Sequence, residues 1–185
     1  MTTLAKAKWR ELTYAASLAG QAEQTQVNAH QALLTRFYQA FQQRDAAAMS
    51  ACYHPDAQFH DPIFGTLSAP EVVAMWHMLC QSAEEFMLLY SDVQCDARYG
   101  TLEWVARYRY RPTGRLVVNE VTTEVAFKEG LILHHDDAFS VARWAAQALG
   151  PIGRCAGWTP WLQRRIRQQA RQSLDRFLQR QAVVV

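Results

Sequence analysis

Two acidic residues, Asp61 and Asp137, stand where a carboxylate could move a proton. Asp61 ends the run Ala57-Gln58-Phe59-His60-Asp61, directly before Pro62. In an extended chain alternate residues share a face, so a core-facing Phe59 carries Asp61 inward and turns His60 away. Asp137 closes the run His134-His135-Asp136-Asp137, where the same alternation groups His135 with Asp137. That face points inward if the turn at Gly130 holds an odd number of residues. A carboxylate among aromatic rings is poorly solvated, so its pKa rises and it becomes a usable acid or base near neutral pH. Asp61 and Asp137 are therefore the candidate catalytic residues.

Other residues could shape the surroundings of such acids. Trp76, Tyr90, Trp104 and Tyr108 are candidates to line an apolar cavity, with Phe37, Tyr53, Phe59 and His135 completing the set. Asn119 and Thr123 share the face of Val121 and could orient a substrate oxygen. His135-x-Asp137 has the spacing of two facial-triad ligands, but nothing specifies a third, so no metal is expected. No glycine-rich phosphate loop is present, and no cofactor is expected either.

The elements that must position these residues follow from hydrophobic period. A narrow helical stripe, Ala5, Trp9, Leu12, Ala16 and Ala19, precedes a break expected at Gly20 and the polar run after it. A stronger helix over 27–44 buries His30, Leu33, Leu34, Phe37, Tyr38 and Phe41. Asp45 caps a short helix reaching Tyr53. Ser68-Ala69-Pro70-Glu71 reads as a capping box opening a helix that buries Val72, Met75, Trp76 and Leu79. Strands are expected over 57–61, 86–95, 103–111, 116–127 and 131–139. The hairpin through Pro112-Thr113-Gly114 should set Arg107 beside Glu120 on the outer face, with Tyr108, Asn119 and Val121 inward. A helix from Val141 stops at Gly150-Pro151, and Thr159-Pro160 opens a last one that aligns Leu162, Ile166, Ala170, Leu174, Phe177 and Leu178.

Composition bounds the rest. The chain has 185 residues, half of them hydrophobic, which suits one domain with a core and a pocket. Residues 154–185 hold seven of the 19 Lys/Arg against one acid, Asp175, so the tail is near +6 while the body is near −4. The tail arginines are read as the solvated outer face of a docked amphipathic helix rather than a nucleic-acid interface. No apolar run is long enough to span a membrane, and Lys6, Lys8, Arg10 and Glu11 interrupt any secretory core, so a cytoplasmic protein is expected. Cys52, Cys80, Cys95 and Cys155 are too scattered for a clamp and are read as reduced, mostly buried thiols.

The stretch Arg36 to Gly65 pairs an aromatic-rich helix and an acid-started short helix with Asp56-Ala57-x-Phe59-x-Asp61-Pro62. It resembles the opening of SnoaL-like proteins and ketosteroid isomerases, in the nuclear-transport-factor-2-like superfamily. The segment Glu129 to Trp144 resembles that superfamily's closing strand. The resemblance implies an α+β fold: a cone-shaped, strongly curved mixed sheet wrapped on helices around an internal pocket. It places that domain at 27–149, with an N-terminal helical extension over 1–26 and a C-terminal basic helix over 150–185 packed on the domain. By resemblance Asp61 occupies the proton-shuttling position of the isomerases and Asp137 the closing-strand acid of the cyclases. The implied protein is a homodimer that binds a small apolar, cyclic molecule and works as an isomerase, cyclase or hydrolase, or as a non-catalytic binder of the same fold. Phe37 and Thr123 stand where a ketosteroid isomerase carries its two oxyanion donors, so steroid isomerisation itself is not expected.

Overall fold

The computed structural model describes residues 3–182, and side chains from residue 18 onward. Among the described residues, two helices, two strands, one helix, four strands and three helices follow one another along the chain. Helix α1 spans Thr3–Gln42, α2 Ala46–Ser50, α3 Ala69–Ser82, α4 Val141–Ala148, α5 Pro151–Ala156 and α6 Pro160–Ala182. The strands are β1 Tyr53–Asp61, β2 Gly65–Ser68, β3 Glu84–Cys95, β4 Tyr99–Tyr110, β5 Arg115–Lys128 and β6 Leu131–Ala138. They form one curved, unclosed mixed sheet in the order β2-β1-β6-β5-β4-β3, with β1 and β6 parallel and every other pair antiparallel. Among the described residues no helix is long and apolar enough to cross a membrane.

Helix α1 corrects the expected break at Gly20. The helix runs through that glycine, whose φ is not positive, because the flanking Ala, Gln and Glu are good helix formers and no proline intervenes. The side chains of the early stripe, Ala5 to Ala16, lie outside the described residues. Further on, Leu33, Leu34, Phe37, Tyr38 and Phe41 bury one face of α1 against the concave side of the sheet. The local signals at α2 and α3 are read directly: Asp45 accepts from the Ala48 N–H, and the Ser68 N–H donates to Glu71.

The β4–β5 register differs from expectation by two residues. Arg107 pairs with Val118 and Glu120 with Val105, so Arg107 and Glu120 share the outer face but meet only diagonally. Glu120 instead binds Arg143 of α4, a partner from outside the hairpin. The inward face is as read, with Val121 buried and Asn119 and Tyr108 half-buried. The turn between β5 and β6 is also different: Glu129-Gly130 is an even, two-residue turn. An extra residue, Leu133, then interrupts the ladder, since Phe127 pairs with Ile132 but Ala126 with His134. This bulge shifts the alternation by one and lets Ile132, His135 and Asp137 all face inward.

The chain closes with helices packed on the open side of the sheet. Helix α5, which hydrophobic period did not show, nests against α4 through Gly153; a Cβ there would sit 1.8 Å from the Ala145 carbonyl oxygen. Helix α6 buries Leu162, Ile166, Leu174 and Phe177 and is tied down by Arg167 to the Pro62 carbonyl and by Arg171 to Glu71. All four cysteines are free thiols, and Cys155 is exposed rather than buried.

Candidate functional site

Between the concave face of the sheet, α3 and α6 lies a cavity of about 1050 Å³. Phe59, Trp76, Trp104, Tyr108, Trp144 and Ile166 give it apolar walls, and both Asp61 and Asp137 open onto it. These two carboxylates come from the neighbouring parallel strands β1 and β6, where Phe59 pairs with His135 and His60 with Asp136.

Asp137 is the end point of a buried hydrogen-bond chain. The Trp76 indole N–H donates to the Tyr53 hydroxyl at 3.0 Å, and that hydroxyl lies 2.7 Å from His135 Nδ1. His135 Nε2 lies 3.1 Å from Asp137 Oδ1. A carboxylate can only accept here, so Nε2 carries the hydrogen and Nδ1 accepts from Tyr53, a tautomer fixed by its partners. From the other side Tyr38 O–H and Trp104 N–H both donate to the Thr123 hydroxyl, at 3.1 and 2.9 Å, which donates in turn to Asp137 Oδ1. Burial holds the Tyr38 and Tyr53 hydroxyls well above the usual tyrosine range, so they stay protonated donors. Behind them Phe37 meets Tyr38, Tyr53, Trp76 and His135 edge-on at 5.1–5.7 Å and fixes their rings.

Asp61 has a different environment. Its Oδ1 accepts the backbone N–H of Ile63 at 2.8 Å and that of Phe64, which shapes the turn between β1 and β2. The carboxyl is nonetheless 8% exposed, and burial pushes it up to about 6. The two N–H donors oppose that rise, and the charge of Asp137 adds to it. Nearby, burial pushes the Tyr108 hydroxyl up to about 12; it accepts from Trp144 Nε1 at 2.8 Å.

Of the residues read from the sequence, Asp61, Asp137, Phe59, Trp76, Trp104, Tyr108 and Asn119 line the cavity. Phe37, Tyr53, Tyr90, Thr123 and His135 do not. Phe37 belongs to the core, Tyr90 packs on Tyr38, and Tyr53, Thr123 and His135 stand one layer behind the wall, holding Asp137. Tyr38 was missed; its signal was a hydroxyl on an otherwise apolar helix stripe, which needs a buried partner. The contributions of Trp144 and α6 to the wall depend on how the terminal helices return to the sheet, which local pattern does not encode.

This arrangement can be set beside known proteins. The model of the SnoaL-like domain matches residues 34–135, more than half of the chain. The chain belongs to the SnoaL-like family. Solved structures similar to this SnoaL-like protein share its nuclear-transport-factor-2-like fold. One is such a protein from Burkholderia thailandensis, 22% identical with a TM-score of 0.58, covering 66% of this chain and 98% of that one. Another is a putative polyketide cyclase from Xanthomonas campestris, 16% identical with a TM-score of 0.55, covering 66% and 98%. A third is an M. tuberculosis LEH-like epoxide hydrolase, 16% identical with a TM-score of 0.55, covering 64% and 87%. A search of curated proteins finds no match.

Proposed function

We propose that this protein binds a small, largely apolar, cyclic molecule in the cavity and transfers a proton on it, with Asp137 as base and Asp61 as its acid partner. The observation that carries this reading is the pair of unlike carboxylates on one apolar cavity. Asp137 is oriented by donors that all point at it, and its Oδ2 accepts no hydrogen bond among the described residues, which leaves a basic oxygen for a ligand. Asp61, pushed up to about 6, keeps its proton in part of the molecules near neutral pH. Two acids whose surroundings set them apart are the usual basis of acid and base roles. The isomerase, cyclase and hydrolase types share this need, and a cyclase and an epoxide hydrolase stand among proteins of this fold. No cofactor enters the proposal.

The test is exchange of the α-hydrogens of cyclic ketones and cyclic β-keto esters in D₂O, followed by NMR, together with hydrolysis of cyclic epoxides. Protein-dependent exchange or diol formation, reduced about 10²- to 10⁴-fold in Asp137→Asn, is the expected result. Binding of such molecules without turnover, equal in wild type and Asp137→Asn, would instead make this a non-catalytic binder.

We further propose a homodimer formed through the outer sheet face. Met87, Leu89, Val105 and Val118 are exposed there on adjoining strands, with Met87 beside Arg107 and Leu89 beside Val105. Sedimentation of Leu89→Lys should then show a monomer where the wild type is a dimer.

A further inference from the structure

The six arginines of α6 do not form one solvated face. Arg167 and Arg171 lie on the flank that docks, bound to the Pro62 carbonyl and to Glu71 and Asp175. Arg165, Arg176 and Arg180 lie on another flank, in a row with Gln169 and Ser173 at spacings of four, four, three and four, and all five line the cavity. All three arginines are exposed, as expected of solvated arginines, and their flank borders the cavity.

Across the opening, Arg44, Arg109 and Arg111 also line the cavity. Arg109 and Arg111 are matched by Glu85 and Glu84, each pair at 2.8 Å. Arg44, Arg165, Arg176 and Arg180 have no carboxylate within 4.0 Å among the described residues. Arg44 donates only to the Ala83 carbonyl, at 2.8 Å, and Arg180 rests over the Phe177 ring. The two acids of the cavity lie on β1 and β6, while these cations come from α6 and the α1–α2 junction, so the cavity has an acidic floor and a basic rim. Unmatched guanidinium groups along one apolar opening raise the local concentration of anions, and Arg176 and Arg180, four residues apart on α6, can act on one of them together. Guanidinium also matches carboxylate, sulfonate and phosphate oxygens in a two-pronged geometry.

We infer that the ligand is an amphipathic anion: its apolar body lies against the aromatic wall and an ionised carboxylate, sulfonate or phosphate group sits at the rim on Arg176 and Arg180, one turn apart on α6. This rests on the reading of the cavity as a small-molecule site and names the class of molecule it takes.

Two fluorescent probes with the same rings separate the inference from that reading: anionic 1-anilinonaphthalene-8-sulfonate and neutral N-phenyl-1-naphthylamine. The sulfonate should bind the wild-type chain about tenfold more tightly at low salt, an advantage that shrinks toward 1 M salt. The single variants Arg176→Gln and Arg180→Gln should each reduce that advantage, and the two together should abolish it. Affinity for the neutral probe should stay within about twofold in every variant, which also reports that the cavity has folded. Arg164→Gln, on an arginine that does not line the cavity, should change neither probe. Equal binding of the two probes by the wild type overturns the inference and leaves the small-molecule reading standing. A sulfonate advantage that Arg164→Gln removes as well as the rim variants do overturns it too, since the charge effect would then be general. Failure of both probes to bind overturns both readings.

Discussion

Thr123 and Asp137 sit directly opposite each other on β5 and β6, and the hydroxyl of one donates to the carboxylate of the other. The same hydroxyl accepts from Tyr38 and Trp104, so a single threonine oxygen collects two buried donors and passes one hydrogen bond on. Thr123→Val keeps the shape but leaves the Tyr38 O–H and Trp104 N–H without an acceptor. Each such loss costs about 1–3 kcal/mol, so urea denaturation should show a loss of about 2–6 kcal/mol. Thr123→Ser should restore most of it; a valine variant as stable as wild type would show that this bond network is slack.

Asp61 should make stability fall as pH rises. Its carboxyl stands at about 6 in the folded chain against an ordinary value of 3.8, so the folded state holds the proton more tightly than the unfolded one between those values. The stabilising contribution is complete below 3.8 and lost as pH climbs through about 6. Two pKa units correspond to about 3 kcal/mol. Asp61→Asn keeps an acceptor for the Ile63 and Phe64 N–H groups without a charge to bury. It should therefore exceed wild type by up to about 3 kcal/mol at pH 8, with the gap closing toward pH 4. Chemical denaturation across that range measures it, and a pH-independent gap would exclude Asp61 as the source.

Two glycine-to-alanine changes should have opposite signs. A Cβ on Gly153 would meet the Ala145 backbone, whereas one on Gly20, inside α1, meets nothing within 4 Å. Gly153→Ala should lower stability by about 3 kcal/mol or more, because α5 must move off α4. Gly20→Ala should raise it by about 0.5–1 kcal/mol. Thermal unfolding of the two variants tests both directions.

The placement of Asp61 was legible because strand alternation from Phe59 is local, and that of Asp137 because His135 and Asp137 share a parity. The parity itself came from a different cause than an odd-numbered turn: Leu133 bulges out of β6, and a bulge leaves little trace in composition. Arg107 and Glu120 illustrate a second limit. Their faces follow from period, but their register was set by where the hairpin closes and by Arg143, which reaches Glu120 from a helix 23 residues further on. The terminal arginines were visible only as a charge excess. Which of them dock and which face the cavity depends on the rotation of α6 about its axis, fixed by Leu174 and Phe177 against the core.

The one-way hydrogen-bond chain behind Asp137 has a consequence for isotopes. A proton taken from a ligand by Asp137 finds both inward routes closed. His135 Nε2 already carries a hydrogen, and the Thr123 oxygen already accepts from Tyr38 and Trp104. Passing the proton inward would require the imidazole and the hydroxyls to reverse together, so the proton returns to the cavity side. Exchange with solvent therefore runs through the cavity alone, on whose wall the carboxylate opens. A deuterium at the abstracted position then washes out at a rate set by how completely the bound ligand fills the cavity, slowest for a ligand that leaves no room for water beside Asp137.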